Sequence, residues 1–151
     1  MKNVSLRDLE PGEKGIITRV GGDKAIRRRL LDMGVVAGAA VEVQRIAPLG
    51  DPVEIRIKGY DLALRRAEAS HIQVDLSSSY LSRVGAGEKV TLLSLGAGWG
   101  LQRRLADMGL TPGVEIKVIS SGRPGQVVIE VRGSRMALGH GVASKILVAY
   151  K

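Results

Sequence analysis

The chain writes one stretch twice, and this repetition restricts its fold more than any other feature. Residues 28–34 read Arg-Arg-Leu-Leu-Asp-Met-Gly, and residues 103–109 read Arg-Arg-Leu-Ala-Asp-Met-Gly. Their surroundings follow: Gly12, Glu13 and Lys14 match Gly87, Glu88 and Lys89, and Gly38 matches Gly113, all at an offset of 75. After a one-residue deletion the offset becomes 74, aligning Gly59 with Gly133, Ala63 and Leu64 with Ala137 and Leu138, and Ile72 with Ile146. A self-match this long means two copies of one module. The 151 residues therefore divide into domains at 1–76 and 80–151, with Ser77, Ser78 and Ser79 as the linker.

Modules of this size bury only about 60% of their unfolded surface, so each must be compact. Phe is absent and aromatics make up 3% of the chain, which leaves Val, Ile, Leu and Met to fill the cores. The repeated stretch itself reads as a helix over 24–33. Ile26, Leu30 and Met33 fall at i, i+4 and i+7, and Leu101, Leu105 and Met108 repeat the stripe, so both stripes are expected to be buried. Asp23 is placed to cap the first helix, and Gly34 and Gly109 to end the two helices in a left-handed turn. Arg28 with Asp32, and Arg103 with Asp107, lie on the opposite face at i, i+4. That face is either a solvated surface or a presented basic-acidic patch.

The rest of each module alternates with period two. Strands are predicted over 14–20, 40–46, 53–58 and 70–76. The segment 60–69 reads as a short strand or one helical turn. Residues 47–52 (Ala-Pro-Leu-Gly-Asp-Pro) form the loop of a hairpin. The second copy repeats the plan with strands over 89–95, 115–120, 127–132 and 145–150 and a helix over 100–108. About five short strands with one helix inserted after the first strand predict a mainly β chain: two tandem SH3-like small β-barrels, each with one short α-helix. The oligonucleotide-binding barrel is the rival on strand count.

Composition narrows the chemistry. Cysteine is absent, which removes disulfides, thiolate metal sites and a cysteine nucleophile. His71 and His140 are the two histidines, and neither recurs in the other copy. Residues 1–10 lack the apolar core of a signal peptide, and no apolar run approaches the roughly 18 residues of a membrane span; the expectation is a cytoplasmic chain. The net charge of +8 is uneven: residues 1–76 carry 13 basic and 11 acidic groups, residues 77–151 carry 10 and 4. The second copy is the one expected to meet an anionic partner. Gly21-Gly22, and Gly96, Gly98 and Gly100, precede helices but lack the lysine-serine ending of a phosphate loop. No catalytic constellation, cofactor motif or metal-ligand set emerges, so catalytic, cofactor and tight metal sites are all expected to be absent.

Several of these motifs, in this order, carry a resemblance. Residues 29–34 (Arg-Leu-Leu-Asp-Met-Gly), Gly38, the 47–55 run Ala-Pro-Leu-Gly-Asp-Pro-Val-Glu-Ile, Gly59-Tyr60 and Leu62-Ala63-Leu64-Arg65 resemble ferrous iron transport protein A, FeoA. The pattern is nearly complete across 4–75. The second copy keeps the helix motif, Thr111-Pro112-Gly113 and Ala137-Leu138. It departs at the loop, which reads Ser-Gly-Arg-Pro-Gly-Gln over 121–126, and has Gly139-His140 where the first copy has Arg65-Arg66. The resemblance implies SH3-like barrels and a non-enzymatic cytoplasmic accessory role in Fe²⁺ uptake. It implies as partner the cytoplasmic, GTP-binding part of a FeoB-type transporter, membrane-proximal but not inserted.

The partner contact is expected in the first copy through Pro48, Leu49, Asp51 and Pro52 at the loop tip, with Arg65 and Arg66. Leu49 and Asp51 are expected to be exposed and dispensable for the turn. Arg28, Asp32 and the lone Trp99 are further candidates, Trp99 either anchoring a contact or capping the barrel. Arg123, Arg132 and Arg135 are expected to add charge in the second copy. Two other readings remain: a basic nucleic-acid-binding module, for which base-stacking aromatics are lacking so that no nucleic acid is expected, and a weak iron carrier using Met33, Met108, His71 and His140. In the carrier reading the methionines compete with their own placement on the apolar stripe.

Overall fold

The computed structural model describes residues 2–96, 98–121 and 125–150. The chain separates into two compact units, Met1–Ser77 and Ser78–Lys151. In the first unit, β1 (Lys2–Ser5), β2 (Lys14–Val20), α1 (Lys24–Asp32), β3 (Ala40–Ile46), β4 (Val53–Ile57), β5 (Tyr60–Leu64), α2 (Arg66–Ala69) and β6 (Ile72–Tyr80) follow in order. The second unit runs β7 (Lys89–Leu95), α3 (Trp99–Asp107), β8 (Glu115–Ser120), β9 (Gln126–Val131), β10 (Ser134–Gly139), α4 (His140–Ala143) and β11 (Ile146–Tyr150). The pairings β2–β3, β3–β4 and β4–β5, and β7–β8, β8–β9 and β9–β10, are antiparallel. Each unit is a small antiparallel SH3-like fold, as the repeat and its alternation predict.

Both units follow one plan because they bury the same positions. Ile17, Leu30, Val41, Val43, Ile55, Leu64 and Ile72 are buried in the first; Leu92, Leu105, Ile116, Val118, Ile129, Leu138 and Ile146 are their buried counterparts in the second. In both, the hairpin turn is a two-residue one with positive φ at each residue: Lys58 (50°) and Gly59 (84°), then Arg132 (52°) and Gly133 (82°). Ile57 faces Tyr60 across the first of these turns and Val131 faces Ser134 across the second. Such turns match the natural twist of the flanking strands. An extra residue between Val43 and Arg45, and another between Val118 and Ser120, bulges the third-fourth strand pairing in each copy.

The repeated Asp-Met-Gly is explained by the helix ends. Gly34 (φ 88°) donates to the Leu31 carbonyl and Val35 to the Leu30 carbonyl; Gly109 (φ 92°) and Leu110 do the same to Ala106 and Leu105. This is the Schellman arrangement, in which the residue after the glycine packs back on the helix. Leu30 with Val35, and Leu105 with Leu110, are that contact, all 3% exposed or less. Asp23 caps α1 as expected, its carboxylate accepting from Ile26 N at 2.8 Å.

Three expectations change and one strand is added. The helical stripe is buried only at its centre: Ile26, Met33 and Leu101 are half-buried and Met108 is 46% exposed. A nine-residue helix lying on a small barrel covers one turn of itself, and the Schellman residues Val35 and Leu110 take the core place assigned to the methionines. Each unit has a second short helix, α2 or α4, so segment 60–69 is a strand followed by a helical turn. Residues near the start form a strand, β1, pairing with β6 from Lys2↔Leu76 to Ser5↔Gln73. The serine stretch 77–79 is not a loop but lies in β6, with Ser78 and Ser79 buried. Residues 78–80 pair with β11, as β1 pairs with the first half of β6.

Candidate interaction surface

The 48–52 loop joins β3 to β4 and stands out of the barrel. Two backbone bonds shape it, Gly50 N to the Ala47 carbonyl (2.7 Å) and Ala47 N to the Pro52 carbonyl (3.1 Å). Gly50 has φ 85°, where a side chain would be strained, and the Asp51–Pro52 peptide is cis. The loop holds Leu49 at 94% exposure, the most exposed large apolar side chain among the described residues.

The arginine pair meets this loop. Asp51 Oδ1 accepts from Arg66 N at 3.0 Å, which satisfies a donor at the first turn of α2. The Arg66 guanidinium lies over the loop, its Nη1 3.1 Å from the place a Gly50 Cβ would occupy. Pro48, Leu49, Asp51 and Pro52 are thus brought together with Arg66, and all five are exposed. Asp51 differs from expectation: besides being exposed, it ties the loop to α2, so it is not dispensable for the local geometry. Arg65 is also exposed, and its N–H donates to Glu68 Oε1 at 2.9 Å.

Glu68 is a residue that sequence reasoning passed over. It is 7% exposed, and its second oxygen lies 3.4 Å from Arg29 Nη1, linking α2 to α1. Its only sequence signal is a carboxylate three residues after the start of a helical turn, the spacing of a capping box. On the α1 face, Arg28 and Asp32 are exposed and no ion pair joins them. The basic-acidic patch is present as two separate charges, not as a locked pair.

Among the described residues the second unit does not repeat this assembly. Residues 122–124, and with them Arg123, lie outside the described residues; Glu68 is replaced by Val142, and Arg66 by His140. It offers a different surface. Trp99 opens α3 and is 75% exposed, so it does not cap the barrel. The Arg103 guanidinium stands 5.6 Å from its ring centroid, a cation–π distance. Trp99, Arg103, Leu95, Leu110 and Pro112 line an open groove of about 650 Å³.

Among the described residues no group of three or more His, Cys, Asp or Glu could hold a metal ion, and no helix is long and apolar enough to cross a membrane.

Two small SH3-like barrels in one chain, one of them presenting a proline-framed loop backed by arginines, define a tandem SH3-like protein. The FeoA domain family matches this chain twice, over residues 4–76 and 80–150, and the chain belongs to that family. It is 45% identical over 74 residues to an Fe(2+) transport protein A/Fe(2+) transporter FeoB fusion protein of Porphyromonas gingivalis, covering 49% of this chain. That match spans only 9% of the fusion protein's length. It is 42% identical over 62 residues to an Fe(2+) transport protein A of Methanocaldococcus jannaschii, covering 41% of this chain and 74% of that one. The solution structure of iron(II) transport protein A from Clostridium thermocellum superposes with a TM-score of 0.61 at 31% identity, covering 96% of this chain and 86% of that chain.

Proposed function

We propose that this chain is a non-enzymatic accessory or regulatory protein of ferrous iron uptake that binds the cytoplasmic, GTP-binding part of a FeoB-type transporter. The observation that carries the reading is the Porphyromonas gingivalis relative, whose name joins transport protein A and the FeoB transporter in one polypeptide. Fusion in one chain is what two partners of a shared task can undergo without loss, because it makes their encounter intramolecular. In this reading the first unit makes the family-type contact through Leu49 and the arginine pair beside it, and the second adds charge through Arg132 and Arg135.

The test is a binding titration of the full chain against the isolated cytoplasmic domain of such a transporter, with and without guanine nucleotide. Saturable binding is expected, weakened at least tenfold by Leu49→Ser with no change in melting temperature. Leu49 is the clean probe because it touches solvent, whereas Asp51 also holds Arg66. Absence of saturable binding in both nucleotide states overturns the partner. Unchanged binding by the Leu49 variant moves the contact to the α1 face at Arg28 and Asp32.

A further inference from the structure

The two units differ on two outer faces. The first difference is a row of charges across four strands. In the first unit the row is Lys14, Glu42, Arg56 and Asp61, each opposite the next, with Lys14–Glu42 at 3.7 Å and Arg56–Asp61 at 3.1 Å. In the second unit it reads Lys89, Lys117, Glu130 and Arg135. Both rows mix signs, so neither selects a partner by charge. The helix face differs in kind. At the offset of 75, the exposed Arg19, Lys24 and Arg27 of the first unit correspond to Ser94, Trp99 and Gln102 in the second, while Arg28 corresponds to Arg103. Where the first unit has a basic face, the second has the groove beside Trp99.

Leu95, Ala106, Leu110 and Pro112 give this groove its apolar lining, and among the described residues Arg103 is the one charged side chain along it. Asp107, one turn beyond Arg103, forms no ion pair with it among the described residues. Stacked on the Trp99 ring at 5.6 Å, the guanidinium keeps the N–H donors of its own plane for a carboxylate. The indole N–H of Trp99 has no acceptor among the described residues, so it is open to a backbone carbonyl. We propose that the groove beside Trp99 is a docking surface for an extended apolar segment of a partner protein that bears one carboxylate. Charge and shape carry the assignment together. One cation answers one carboxylate, whereas nucleic acid and anionic lipid present rows of charge that call for the several cations found only at the first unit's counterpart. An open groove of about 650 Å³ covers one side of its occupant. That suits a segment lying along it, because small-molecule sites enclose most of their ligand. Trp99, 75% exposed, is the type of side chain that anchors protein contacts.

The experiment titrates the isotope-labelled full chain with the peptide acetyl-Leu-Ser-Leu-Glu-amide and follows its amide resonances. Trp99, the single tryptophan of the chain, gives a second reading by fluorescence. Saturable shifts are expected at Ser94, Leu95 and Thr111, and none at Arg19, Val20 and Val36, which hold the same places in the first unit. Peptides with lysine for the glutamate, or serine for both leucines, should bind more weakly. Trp99→Lys, which installs the first unit's residue, should weaken binding about tenfold or more. It should leave the melting temperature in place, since the side chain stands in solvent. Arg103→Gln should remove the preference for glutamate over lysine. Absence of saturable shifts, equal binding of the lysine peptide, or indifference to Trp99→Lys overturns the site. Tighter binding at these residues by a six-nucleotide single strand or by phosphatidylglycerol vesicles overturns the protein segment as its occupant. Shifts there that follow protein concentration without peptide overturn it in favour of a second copy of the chain. No transporter enters the experiment, so its failure is separate from failure of the transporter reading.

Discussion

The two units share a core position for position, yet their surfaces have moved apart. The first is nearly neutral, closes its charge row with alternating pairs, and projects a loop tied by Asp51 to Arg66. The second leaves two lysines facing one another and exposes Trp99 under Arg103. Replacing a core residue leaves a void in a close-packed interior, so such positions stay apolar in both copies. Replacing an outer residue disturbs only solvated charges, so the outer faces are free to differ. Duplication has thus kept the interior of the fold while letting its exterior vary.

The largest effect should fall on what is common. Leu30→Ala and Leu105→Ala each remove a buried side chain, 0% and 3% exposed. Each should cost its own unit about 2–5 kcal/mol. Amide hydrogen exchange reads the two units separately. If either change lowered protection in both units alike, the separation into two cores would fail.

A smaller effect should distinguish the units. Glu68→Ala leaves Arg65 N–H without its buried acceptor and Arg29 without its partner. It should destabilise the first unit by about 1–3 kcal/mol. Arg104→Ala, at the place of Arg29 in a unit with no buried carboxylate, should change stability by less than about 0.5 kcal/mol. Equal losses by denaturant unfolding would show that the ion pair is not what sets α2 apart. Asp51→Ala removes the acceptor for Arg66 N and should cost about 1 kcal/mol, the scale of a lost helix cap. An unchanged unfolding midpoint would detach the loop from α2.

The smallest effect tests the charge row. Glu42→Lys, which sets a cation between Lys14 and Arg56, should destabilise the first unit by a few tenths of a kcal/mol, while Lys117→Glu should change the second unit less, because relief opposite Lys89 is offset by a second carboxylate opposite Glu130. Both differences should shrink in high salt, since exposed charges are screened. Equal losses in the two units, or differences indifferent to salt, would mean that the rows differ in something other than charge.

Sequence alone determined the duplication, the strand segments, the helix with its Asp23 cap and its glycine stop, and the family. These are local matters: alternation, capping and left-handed glycine depend on neighbours a few residues away. It also brought Pro48–Pro52 and the arginine pair into one list, although only the fold shows Asp51 joining them. What the tertiary structure decided is everything that depends on register. A short helix on a small barrel buries one turn, so Met108 leaves the core and Leu110 enters it. The serine stretch 77–79 looks like a linker because serine is small and polar, but pairing with β11 makes it strand. The charge rows are the clearest case. A bulged residue shifts the pairing between β3 and β4 and again between β8 and β9, so spacing along the chain does not say which charge faces which. Only the paired strands put Lys89 against Lys117.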